Sequence, residues 1–95
     1  MIRVKVNFFA TVRMYANAKG TSLQLPEGST ARDMIDALIG RFGSAFDDYM
    51  VDEDGNLHRH VVVLRNGRGI SILDGLDTKM NDDDSISLLP AIGGG

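Results

Sequence analysis

The chain contains no cysteine. Disulfides, cysteine-ligated zinc, iron–sulfur clusters and a cysteine nucleophile are therefore excluded, and packing alone must hold the fold. There is no basic surplus either: 10 Lys and Arg stand against 13 Asp and Glu, a formal net charge of −3. A nucleic-acid binder gathers Lys and Arg on one face to neutralise phosphates, so the balance argues against that class. No stretch approaches the roughly 18 apolar residues of a membrane span. The opening MIRVKV carries charges among its first residues with no long apolar run behind them, which is unlike a signal peptide. The expected location is the cytoplasm. What remains is ordinary for a globular chain: 95 residues, 43% hydrophobic and 24% charged, enough for one modest core.

Ile2-Arg3-Val4-Lys5-Val6-Asn7-Phe8 alternates apolar and polar, which predicts a half-buried strand with Ile2, Val4, Val6 and Phe8 facing the core. Phe9 breaks the alternation and falls on the solvent side. Thr11 to Gly20 reads as a polar connector with a turn at Lys19-Gly20. Ser22 to Leu25 reads as a second strand, hairpin-paired with the first and stopped by Pro26. Thr30 with Asp33 three residues on resembles a capping box. Met34, Ile35, Leu38, Ile39 and Phe42 then recur at helical spacing until Gly43, and this stripe is expected to cover the sheet.

Ser44 to His60 reads as a loop with a turn at Asp52-Glu53-Asp54-Gly55-Asn56. Val61 to Leu64 reads as a central strand, apolar at consecutive positions because both of its faces are covered. Asn66-Gly67 is a turn, Gly69 to Ile72 a short strand, and Asp74 to Thr78 another turn. Asn81 to Asp84 is an acidic turn before Ser85-Ile86-Ser87-Leu88, which alternates again. The order predicts an α+β fold of the β-grasp, ubiquitin-like kind. Its mixed sheet has four to five strands, with one main helix on one face. Residues 1–90 are expected to form the domain, and 91–95 a flexible glycine-rich tail.

Catalytic chemistry is hard to find in these residues. His58 and His60 share one side of any strand formed there, but a metal site needs further ligands, and only Asp52 or Asp54 stand near in sequence. Asp82-Asp83-Asp84 lacks the alternating carboxylates and distal Glu of a calcium loop and reads as a solvated turn. Gly67-Arg68-Gly69 is followed by no helix that would make it a phosphate cradle. Two apolar positions and the last residues stand out instead. In a β-grasp sheet the first and last strands run side by side in parallel. That would bring outward-facing Phe9 and Leu89 into one exposed patch. Pro90 should end strand pairing, and Gly93-Gly94-Gly95 carry no Cβ, so they fit a narrow channel and leave a carboxylate at Gly95 accessible.

These features together resemble the MoaD/ThiS-type sulfur carriers and their relatives, the small archaeal modifier proteins and ubiquitin-related modifiers. The resemblance rests on Val6-Asn7-Phe8-Phe9-Ala10-Thr11-Val12-Arg13, on Val61 to Arg68, on Asp74 to Thr78 and on Leu88-Leu89-Pro90-Ala91-Ile92-Gly93-Gly94-Gly95. It departs from the family where Pro90-Ala91 stands for two prolines and where Leu88 or Leu89 stands for a large aromatic. The resemblance implies that the chain is a carrier subunit without an active site of its own, holding no cofactor. A ubiquitin-activating-type adenylyltransferase would use ATP to adenylate the Gly95 carboxylate, with Gly94 giving the backbone clearance. A thiocarboxylate would follow and serve the molybdopterin synthase large subunit in molybdenum cofactor biosynthesis. Phe9, Leu89, Pro90 and Ile92 would contact partners. The alternative it implies is conjugation of Gly95 to target-protein lysines.

Overall fold

Alternation in the first segment becomes strand β1 (Ile2–Phe8), with Ile2, Val4, Val6 and Phe8 buried as expected. In this computed structural model, residues 1–91 are described. The elements continue with helix α1 (Ala10–Ala16), β2 (Gly20–Leu25), α2 (Ala31–Phe42), α3 (Ser44–Met50), β3 (Val61–Arg65), β4 (Arg68–Gly69) and β5 (Asp84–Pro90). The five strands form one mixed sheet in the order β2-β1-β5-β3-β4. β1 and β5 pair in parallel, and every other neighbour is antiparallel. The expected α+β sheet with its first and last strands side by side is therefore present.

The stretch from Thr11 to Gly20 is not a connector. It contains most of α1, whose Val12 and Ala16 lie one turn apart and are buried, and Asn17 closes the helix with left-handed φ 54°. Two small apolar anchors among polar neighbours leave too faint a helical stripe to read. β1 and β2 do pair antiparallel, but across that helix and not a tight hairpin, and β2 begins earlier, at Gly20. A Cβ built on Gly20 would sit 2.6 Å from the Val6 carbonyl oxygen, so only glycine allows this close strand approach.

Ser44 to His60 likewise begins with a helix, α3. Its Phe46 and Met50, four apart, are fully buried. Phe46 joins Phe8 and Phe42 in an aromatic cluster with ring centroids 5.2–5.8 Å apart. Edge-to-face contacts of this kind add about 0.5–1.5 kcal/mol beyond their area. The main helix, α2, starts with the expected capping box: the Asp33 N–H donates to Thr30 Oγ1, and the Thr30 N–H donates to Asp33 Oδ2 at 2.9 Å. Met34, Ile35 and Leu38 from α2 complete a core shared with Val4, Val6, Ile86, Leu88 and Val63 of the sheet.

The central strand is β5, not β3, which lies second from one edge. Asn66 (φ 51°) and Gly67 (φ 85°) make a two-residue turn of the mirror-image type between β3 and β4, as the Asn-Gly pair predicts. The strand expected over Gly69 to Ile72 is shorter. β4 stops at Gly69, and Ile70–Ile72 form a 3-10 turn that buries Ile70, with another such turn over Gly75–Asp77. Among the described residues, no helix is long and apolar enough to cross a membrane.

Candidate functional site

β5 carries the chain out of the core. Ile86 and Leu88 are buried on one face, while Leu89 alternates to the other and is half-buried. Parallel register sets Phe8 opposite Leu88, and the Phe9 N–H donates to the Leu88 carbonyl at 3.0 Å. Phe9 therefore lies beside the Leu88–Leu89 step, just past the end of β1, and is 42% exposed. The Arg13 side chain braces it, donating from Nε to the Phe8 carbonyl at 3.0 Å, with its guanidinium carbon 6.0 Å from the Phe9 ring centre. The register thus sets the backbone of exposed Phe9 beside that of half-buried Leu89.

The patch is wider than these two residues. Val62 pairs with Leu89 across β3 and β5. Val61 and Val63 point into the core, so Val62 and Leu64 alternate to the open side and stay only half-buried. The continuous apolar run was read as a strand covered on both faces, but in the fold it packs on one and leaves Val62 opposite Leu89 and Leu64 opposite Ser87. The pairing register carries this information, and composition does not. Met14, Tyr15 and Ile72 are further exposed apolar residues that patterning did not single out.

Pro90 does not end the pairing. Although it has no N–H of its own, it still pairs with Val61, and one rung beyond it the Ala91 N–H donates to the His60 carbonyl at 2.8 Å. Ile92, Gly94 and Gly95, the remaining expected site residues, lie outside the described residues.

His58 and His60 are engaged by a helix end. His58 Nε2 lies 3.0 Å from the Asp48 carbonyl, and His60 Nε2 lies 2.8 Å from the Tyr49 carbonyl. Carbonyls only accept, so both rings donate Nε2–H to the last turn of α3. Among the described residues, no group of three His, Cys, Asp or Glu side chains is placed to hold a metal ion.

Asp84 is the largest departure from the acidic-turn reading. It is 4% exposed at the start of β5. It accepts from Arg65 Nε (2.8 Å), Asn66 Nδ2 (2.9 Å) and the Asn81 N–H (2.7 Å). Burial alone would raise its pKa, but the hydrogen bond from Arg65, those from Asn81 and Asn66, and the charge of Arg65 outweigh that effect. Together they hold the carboxyl below its ordinary value. This anchor fixes the start of the strand whose other end carries the patch and the exit to Ala91.

A five-stranded mixed sheet with α2 packed on it, and a central strand running out beside an apolar patch, defines the ubiquitin-like β-grasp class. The chain belongs to the ThiS family, whose model matches residues 6–95. It is 31% identical over 94 residues to small archaeal modifier protein 3 of Haloferax volcanii, covering 99% of this chain and 100% of that one. The crystal structure of SAMP1 from Haloferax volcanii superposes with a TM-score of 0.85 at 27% identity, covering 98% of this chain and 99% of that one. The molybdopterin synthase sulfur carrier subunit of Drosophila erecta is 28% identical over 96 residues, covering 100% of this chain and 93% of that one. The family thus holds relatives named as protein modifiers and as sulfur carriers of a larger assembly.

Proposed function

We propose that this chain is a sulfur carrier that works through the carboxylate of Gly95 as the small subunit of a molybdopterin synthase. The observation that carries the reading is the geometry around Ala91. The sheet's central strand delivers the chain past a partly exposed Phe9–Leu89–Val62 patch, and the last ladder rung among the described residues, at Ala91, lies four residues before Gly95. Those four residues reach at most about 14 Å, which suits entry into a neighbouring protein docked on that patch.

In this cycle a carboxylate oxygen of Gly95 attacks the α-phosphorus of ATP on a ubiquitin-activating-type adenylyltransferase, and pyrophosphate leaves. A free carboxylate resists nucleophiles, and the acyl-adenylate gives its carbon a good leaving group. Persulfide sulfur then attacks the acyl carbon and AMP departs. A thiol cleaves the resulting acyl disulfide to release the thiocarboxylate. The synthase large subunit consumes that sulfur to build a dithiolene. The chain itself supplies the docking patch, the reach and the acyl group, and it holds no cofactor. We assign the cycle to the cytoplasm, where ATP is at hand.

A second reading shares the activation step and ends with Gly95 joined to lysines of target proteins. It is favoured by the similarity to the two Haloferax modifier proteins. Intact-mass spectrometry after incubation with ATP, an activating enzyme and a sulfur source separates the two. Replacement of oxygen by sulfur at Gly95 supports the carrier, and branched peptides at lysines support the modifier. A mass unchanged in both respects contradicts both.

A further inference from the structure

Rows of carbonyls at a helix C-terminus lack partners within the helix and must find donors elsewhere. In α3 the donors come from one short segment. His58 Nε2–H meets the Asp48 carbonyl at 3.0 Å, His60 Nε2–H meets the Tyr49 carbonyl at 2.8 Å, and the His58 backbone N–H meets the Met50 carbonyl at 3.0 Å. Three consecutive carbonyls are thus capped by two residues. The imidazoles are stacked on each other, with centroids 5.0 Å apart and 15° between planes.

The stack continues along the surface, from exposed His60 through half-buried Tyr49 to exposed Tyr15. The His60 ring lies 4.6 Å from the Tyr49 ring, which in turn stacks on Tyr15 of α1 at 4.4 Å. The Tyr49 hydroxyl meets Thr11 Oγ1 of α1 at 2.7 Å. His60 precedes β3, so strand pairing alone does not place it. Yet its backbone carbonyl accepts the Ala91 N–H, the last rung among the described residues.

We propose that His60 is a positioning residue for the tail. Its ring, held between the His58 and Tyr49 rings and donating to the Tyr49 carbonyl, fixes the backbone carbonyl that directs the chain at Ala91. The inference rests on the carrier-or-modifier reading for its consequence, because only an activated tail needs a set direction. Its structural part is independent of that reading. A tail root held by one extra rung leaves Gly95 fewer positions to search inside an activating enzyme, and acyl transfer is sensitive to small misplacements.

The test is amide hydrogen exchange at Ala91 in the full chain, paired with adenylation kinetics on a ubiquitin-activating-type enzyme. One hydrogen bond of ordinary net strength corresponds to roughly a 2- to 10-fold change in exchange. His60→Ala should accelerate exchange at Ala91 by that factor, while the amides of Val63 and Leu88 keep their protection. His60→Gln, which retains an N–H donor for the Tyr49 carbonyl, should recover much of the protection. His58→Ala removes a cap from the same helix and the ring stacked on His60, but keeps the bond from His60 to the Tyr49 carbonyl, and should cost Ala91 clearly less protection than His60→Ala. In adenylation, His60→Ala should lower kcat several-fold with KM nearly unchanged. Unchanged Ala91 exchange in His60→Ala overturns the proposal, as does an equal loss in His58→Ala. If the wild-type chain is not adenylated at all, the function assigned above fails, and the exchange data still decide whether His60 holds the tail root.

Discussion

Asp84→Asn asks whether the start of β5 is pinned by charge or merely by shape. The native carboxylate takes three donors at 2.7–2.9 Å in a site that is 4% exposed, and one donor belongs to the Arg65 guanidinium. Asparagine keeps the shape and can still accept from Asn66, but its other terminus is then an amide that faces the Arg65 and Asn81 donors. Arg65 is 23% exposed, so the pair is only partly buried, and losing its charged hydrogen bonds costs about 1.5–3 kcal/mol, a sizeable share of a domain stability of roughly 5–15 kcal/mol. For a domain of this size, the melting temperature should fall by more than ~6 °C.

The pH dependence has a definite sign. The folded carboxyl titrates below its unfolded value, because the donors outweigh burial. Its contribution is therefore fully present above the unfolded value of about 3.9 and is lost as pH falls through the lower folded value. Urea melts at pH 7 should show the full deficit of the variant, and the gap should narrow below about pH 4 as the wild-type carboxyl protonates. A variant within about 0.5 kcal/mol of wild type at pH 7, the range of an ordinary surface substitution, would refute the anchoring of β5 by Asp84.

Other substitutions separate folding from docking. Val63 is 3% exposed in β3. Val63→Asp buries an unpaired charge and should abolish the cooperative melt, and an unchanged melting curve would contradict the strand's placement. Phe9→Asp should leave the melting temperature nearly unchanged. Leu89→Asp should lower it modestly, since that side chain is half-buried. Both should weaken binding to an activating enzyme or synthase subunit at least 10-fold, as loss of a central apolar anchor does. Lower stability with unchanged affinity would return both residues to the core.

The parts legible in the sequence were those with a strong period or a strong local rule. The alternation of Ile2 to Phe8, the stripe from Met34 to Phe42, the Thr30–Asp33 box and the Asn66-Gly67 turn all carry their physics in neighbouring residues. α1 and α3 escaped because each is two turns long and shows only two buried residues, too few to raise a periodic signal above polar surroundings. The roles of Asp84 and His60 depend on partners 19 and 11 residues away, brought together only by the fold. Phe9 and Leu89 could be singled out because strand parity needs no distant information. Val62 could not, since a run of four apolar residues reads equally well as covered on both faces. The glycine run was recognisable by composition, but that Ala91 is still tied to the sheet was not, because a proline directly before it argues the opposite.

The central claim is that Gly95 is the reacting residue, and deletion of Gly95 tests it most directly. Removing it withdraws the carboxyl carbon by one residue, roughly 3.5 Å, far more than a reacting geometry tolerates. The measurement is ATP–pyrophosphate exchange with an activating enzyme, read beside the intact mass of the product and the melting temperature. The undeleted chain should support exchange and acquire sulfur at Gly95. The deletion should melt at the same temperature, dock through the patch with the same affinity and support no exchange. A deleted chain adenylated as fast as the full one would contradict the account.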